Sequence, residues 1–144
     1  MSIKALNLTA TEKYELSFDD AKGTPEASTF TLRSLDSRVI GRIRDSSSTL
    51  TLDQSENELQ TNVNMNEMNF QWVQFGLAGW TKFYDENSNA IDIAFVSETI
   101  GGYVYQVVSP AVMRLLPDIA ITELADRIQK RNTMTKAEEK NSET

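Results

Sequence analysis

MNEMNFQWVQFGLAGW, residues 65–80, is the stretch on which the fold of this chain turns. At helical spacing Met68, Trp72, Phe75 and Gly79 form one stripe, and Phe70, Val73, Leu77 and Trp80 form a second. The polar strip between them is narrow, around Asn69, Gln71 and Gln74. A helix apolar over most of its circumference has to be covered on more than one side. The stretch is therefore either the central core helix of a small domain or a helix partly covered by another subunit. Gly79 is placed to end it as a C-cap.

Downstream, TKFYDENSNAIDIAFVS (81–97) fits a strand, a turn and a further strand. IDIAFVS and YVYQVVS, joined by ETIGG, predict a β-hairpin with its turn at Gly101–Gly102. SPAVMRLLP (109–117) starts a helix with Ser109 as N-cap and Pro110 at the first helical position. Pro117 and Asp118 break and restart it. Residues 118–132 then carry Ile121, Leu124, Ala125 and Ile128 at helical spacing. Asp118 and Glu123 near the start, with Lys130 and Arg131 near the end, suit the helix dipole. Residues 133–144 have a capping-box pattern at Thr135 and Glu138 but little apolar content, and read as a polar tail.

Upstream, YELSF (14–18) and STFTLRSL (28–35) alternate as strands do, around the turn-forming DDAKGTPEA. LDSRVIGRIRD (35–45) predicts a short helix with Asp36 or Ser37 as N-cap and Val39, Ile40 and Ile43 buried. STLTL (48–52) suggests a short strand, and the polar residues 53–62 read as a loop. The expected architecture is α+β, a single domain over residues 1–132. It comprises an N-terminal β-hairpin, a central apolar helix, a second β-hairpin and a C-terminal helical pair, followed by the tail.

Composition restricts the chemistry. The chain has no cysteine and no histidine, so it has neither disulfides, thiolate chemistry nor histidine acid–base catalysis. Fourteen basic residues against 21 acidic ones give a net charge of −7, which disfavours binding to phosphate backbones. No apolar run approaches the roughly 20 residues of a membrane-spanning helix. The N-terminus lacks the apolar core and cleavage site of a signal peptide, so a cytoplasmic location is expected.

Asp85, Asn87 and Asn89 have the alternating oxygen spacing that opens a calcium loop. Such a loop needs Gly at its sixth position and Glu at its twelfth; here those positions hold Ala90 and Val96. The segment reads as a turn, and no metal or cofactor is expected. Adjacent acids at Asp19–Asp20, Asp85–Glu86 and Glu138–Glu139 carry no sign of a catalytic cleft, and no nucleophile or phosphate-binding motif is present. An enzyme is not expected.

The candidate functional surface is aromatic and methionine-rich: Met65, Met68, Trp72, Phe75, Trp80 and Phe83. Aromatic side chains and Met are the residues that protein interfaces favour, although a plain core explains them equally well. Arg38 and Arg42, with Arg44, make a local basic patch suited to an acidic partner or simply to a solvated helix face.

Three stretches carry a family resemblance. TLRSLDSRVIGRIRD (31–45) is similar to a leucine–aspartate helix ending in Asp. VQFGLAGWTKFYDENSNAI (73–91) is similar to a glycine-x-x-glycine-aromatic stretch followed by an Asp/Asn turn. VVSPAVMRLLPDIAITELADRIQKRNTMTKAEEKNS (107–142) resembles a valine–serine, proline, leucine–alanine, isoleucine, asparagine close with an acidic–lysine tail. Together, over residues 28–142, the chain resembles the tail assembly chaperones of long-tailed bacteriophages. It departs from them in its long Ser/Asn/Gln spacer and in Ala90, where Gly is common. The resemblance implies a non-enzymatic helper in the host bacterial cytoplasm that binds the phage tape-measure protein and keeps it soluble until tail-tube subunits polymerise. The tail-tube protein is then a further candidate partner, and self-association is expected. Two other readings stay open: a structural virion component, such as a tail-completion or head–tail joining protein, and an acidic inhibitor of host defence.

Overall fold

The structure is a computed structural model and describes residues 2–53 and 58–133. Strand β2 (Thr29–Arg33) is central to an antiparallel three-stranded sheet, with β1 (Thr11–Tyr14) on one side and β5 (Leu77–Thr81) on the other. In β2 Phe30 and Leu32 are buried while their neighbours are half-buried, the period-two pattern of a sheet packed on one face. Helix α1 (Ser37–Ser46) follows, with the Asp36 carboxylate accepting from the Val39 amide and Val39 and Ile43 turned into the core.

Strands β3 (Ser48–Asp53) and β4 (Glu58–Val63) pair as an antiparallel hairpin. The loop expected over 53–62 is thus replaced at its C-terminal end by a strand. Alternating Leu59, Thr61 and Val63 supply the strand pattern, which their polar neighbours dilute. Residues 54–57 of that expected loop lie outside the described residues.

Helix α2 runs over Met65–Gly76, capped by the Asn64 side chain, which accepts from the Glu67 amide. It stops short of the expected end at residue 80. Leu77 turns to extended backbone (φ −93°, ψ 121°), and β5 pairs with β2 as Phe30↔Trp80, Thr31↔Gly79 and Leu32↔Leu77. Gly79 therefore lies within a strand and is not a C-cap. An apolar run without a clear polar face satisfies either periodicity, and the unpaired edge of β2 favours the strand. Trp72, Val73 and Phe75 are buried, so α2 is the central core helix within one chain. It packs chiefly on α4 (Asp118–Thr133), closely enough that a Cβ on Gly76 would stand 2.5 Å from Ile128 Cγ2.

The second hairpin pairs β6 (Phe95–Ile100) with β7 (Tyr103–Val108) through Gly101 and Gly102. Both glycines have positive φ, 57° and 86°, as a two-residue hairpin turn of the primed type requires. Helix α1 lies against this hairpin: the Tyr105 hydroxyl donates to Asp36 at 2.7 Å, and Arg42 pairs with Glu98 at 3.0 Å. Arg33 ties β7 to β5, donating to the carbonyls of Gln106 and Leu77 at 3.2 Å each, with its guanidinium 5.7 Å from the Phe95 ring. Helix α3 (Pro110–Met113) is a single turn capped by Ser109, and α4 completes the C-terminal pair.

The first hairpin is shifted from expectation. Its first strand is Thr11–Tyr14, so most of YELSF lies beyond it. The shift follows from what α4 holds. Glu12 takes Arg127 and Arg131, at 2.5 and 3.0 Å, and Tyr14 donates to Glu123 at 2.7 Å. Helix α4 ends at Thr133; the polar tail, from residue 134, lies outside the described residues.

Candidate partner-binding groove

Three aromatic rings from two elements and a loop meet on the three-stranded sheet. Phe30 of β2, Trp80 of β5 and Phe83 beyond it have centroids 6.2, 6.0 and 5.0 Å apart, with edge-on or tilted rings. The Trp80 indole donates to the Ile91 carbonyl at 2.7 Å, fixing the ring against the following loop. Lys82 adopts φ 58°, turning the chain so that Phe83 folds back on the pair. Its carbonyl accepts from the Ser28 hydroxyl at 2.6 Å, and its ammonium donates to the Pro25 carbonyl.

Beside the triad opens a groove of about 380 Å3. It is lined by Leu16, Phe18, Ala21, Phe30, Phe83, Pro117 and Ala120, with Asp19, Asp20 and Ser28 at its polar edge. The loop between β1 and β2 supplies one wall and the start of α4 the other. Asp19 organises the loop: one carboxylate oxygen accepts from the Ala21 amide and the other from the Ser28 amide, both at 2.9 Å. Phe18 stays 42% exposed, an aromatic side chain at the mouth.

Glu123 ties that loop to α4. Its carboxylate accepts from the Ser17 amide and the Tyr14 hydroxyl, each at 2.7 Å, and from the Ser17 hydroxyl. Burial alone would raise the Glu123 carboxyl, but the hydrogen bonds from Ser17 and Tyr14 outweigh it and hold its pKa low. The same contact, with burial acting first, pushes the Tyr14 phenol up to about 12. Glu12 behaves as Glu123 does: burial opposes ionisation, and the hydrogen bonds of Arg127 and Arg131 prevail.

The residues expected to bind a partner are divided by the fold. Phe83 lines the groove, and half-buried Trp80 braces it from behind. Trp72 and Phe75 are core residues, at 0% and 4% exposure, and present no surface. They are buried because α2 is covered on both sides, by α4 and by α1 with β7. Met68 is half-buried against the same core, while Met65 is exposed on the first turn of α2; neither lines the groove. Arg38 and Arg42 are exposed on α1, where Arg42 pairs with Glu98 and the Arg38 side chain lies over Gly101. Arg38 and Arg42 thus face the chain's own hairpin.

Of the apolar groove residues, Leu16, Phe18, Ala21, Phe30, Pro117 and Ala120 are not among those expected from sequence to bind a partner. Apart from Phe30 of β2 they come from two segments about a hundred positions apart, and the only local signal is the strand-like alternation of YELSF and STFTLRSL.

The segment Asp85–Asn89 is a closed turn. Asp85 Oδ1 accepts from the amides of Asn87 and Asn89 at 2.9 Å each, and Tyr84 bridges Ala90 across it. Among the described residues, no cluster of three or more acidic side chains is arranged to hold a metal ion. No helix among them is long and apolar enough to cross a membrane. Comparison of the chain with protein-family models, curated proteins and solved structures finds no match.

Proposed function

We propose that this chain is a bacteriophage tail assembly chaperone, which binds the tape-measure protein in the host cytoplasm and keeps it soluble during tail assembly. The observation that carries this reading is the groove beside Phe30 and Phe83, with Phe18 exposed at its mouth. Its polar edge is acidic, so the segment it suits is an apolar helical face flanked by Lys or Arg. A long helical protein that has not yet been enclosed by its tube exposes many such faces.

The mode of action is masking. Each Leu-sized side chain withdrawn from water contributes about 1.5–3 kcal/mol before the entropy of association is subtracted. A groove that takes only a few side chains binds reversibly. That suits a helper that must yield when tube subunits cover the same faces. No group in the groove is asked to perform chemistry.

The test is co-expression with the tape-measure protein of the same phage. The wild-type chain is expected to move that protein from the pellet to the supernatant. Phe18→Asp should abolish the effect, and Val63→Asp, at a comparably exposed site outside the groove, should preserve it. A tape-measure protein equally soluble with wild type and with Phe18→Asp would overturn the proposal.

A further inference from the structure

The two edges of the second hairpin differ. In a two-residue hairpin closed by Gly101 and Gly102, Ile100↔Tyr103 is a hydrogen-bonded pair, and such pairs alternate along the ladder. The outward backbone groups of β7 therefore belong to Val104, Gln106 and Val108. Two of those carbonyls are occupied: Gln106 accepts from Arg33, and Val108 accepts from the Gln74 side chain at 3.1 Å. The outward groups of β6 belong to Phe95, Ser97 and Thr99. Among the described residues no strand pairs with that side of β6, and Ser97 and Thr99 are exposed.

An open edge is ordinarily guarded by Lys, Pro or a bulge. The strand FVSETI has none of these; its one charge, Glu98, is already neutralised by Arg42. The edge is also self-complementary. Antiparallel pairing about a twofold axis through Ser97 sets Ser97 opposite Ser97 of a second copy, and Phe95 opposite its Thr99. Across the resulting four strands one row reads Gln106, Ser97, Ser97, Gln106. Within each copy its first step already exists as a Gln106–Ser97 side-chain hydrogen bond of 2.9 Å. The next row places Phe95 of one copy near the Thr99–Val104 pair of the other, where Val104 is 64% exposed. Pairing of two chains of net charge −7 needs a neutral seam, and the Arg42–Glu98 pair supplies one.

We propose that β6 is a dimerisation edge, joining two copies of this chain into a continuous four-stranded antiparallel sheet. This stands independently of the groove, whose lining shares no residue with β6.

The experiment combines sedimentation equilibrium with cross-linking. Wild type is expected to dimerise. Ser97→Pro, which removes only an outward-facing amide, should be monomeric with an unchanged near-UV circular dichroism spectrum. The chain has no cysteine, so Ser97→Cys places one thiol on the axis, with Cα atoms about 5.5 Å apart in the dimer, within disulfide reach. It should oxidise to a covalent dimer, whereas Thr99→Cys, displaced from the axis, should not. A chain that stays monomeric throughout its soluble range overturns the proposal, even if its edge captures a foreign extended peptide. So does a dimer that Ser97→Pro leaves intact and Ser97→Cys fails to lock. If Ser97→Pro does not fold, the contrast between the two cysteine variants decides the question.

Discussion

Gly76 is the last residue of α2 and a point where that helix comes close to α4. A Cβ there would stand 2.5 Å from Ile128 Cγ2 and 2.9 Å from Cδ1. The Cγ2 methyl is attached directly to the branched Cβ of a fully buried residue, so it cannot swing aside as a flexible side-chain end would. Gly76→Ala should therefore destabilise the chain by about 1–3 kcal/mol, despite the better helix propensity of Ala, because overpacking outweighs that gain. A urea unfolding midpoint measures it. Adding Ile128→Val, which removes Cδ1 but keeps Cγ2, should restore only part of the loss. Full restoration would place the clash elsewhere. Gly41, by contrast, has nothing within 4 Å of its Cβ position. Gly41→Ala in the middle of α1 should be stabilising by roughly 0.5–1 kcal/mol.

At the scale of elements, β1 and the loop after it are attached to α4 by groups that titrate. Glu12 and Glu123 both have lowered pKa values in the fold, because hydrogen bonds from Arg127 and Arg131, and from Ser17 and Tyr14, outweigh burial. Carboxyls so depressed contribute stability above their unfolded pKa of about 4.3, and that contribution fades as pH falls through the folded value. Tyr14 and Tyr105 act in the opposite sense. Each is raised to about 12, so the contribution is complete below the unfolded pKa of about 10 and is lost between there and 12. Stability against urea should thus fall at both extremes, and Glu123→Gln should flatten the acid limb. An acid limb unchanged in Glu123→Gln would remove Glu123 from the account. The clamp was invisible in sequence because its partners lie more than a hundred residues apart. What was legible were local signals: the Asp36 and Ser109 caps, the Gly101–Gly102 turn and the stripe of α4. Residues 77–80 read as helix from sequence and fold as strand, because pairing with β2, a non-local contact, chooses between two periodicities that the residues satisfy alike. Of the groove lining, only Phe83 is among the partner-binding residues expected from sequence; the rest of its wall is assembled by tertiary folding.

For the whole molecule, the groove and the β6 edge are built from different segments, and a dimer through the edge carries two grooves. A long partner with many apolar faces can engage both, and the second contact is then intramolecular, with an effective concentration set by the chain between the faces. A short peptide bearing one such face gains nothing from dimerisation. Ser97→Pro should therefore bind a single-face peptide as tightly as wild type while holding the long partner at least tenfold more weakly. Phe18→Asp should lose both interactions and still dimerise. Isothermal titration with the peptide, together with pull-down of the long partner at matched chain concentration, separates these outcomes. Equal weakening of both ligands by Ser97→Pro would mean that the substitution reaches the groove. Unchanged capture of the long partner would mean that the two grooves do not act together. The sheet edge then would set the oligomeric state alone, and masking would depend on one groove at a time.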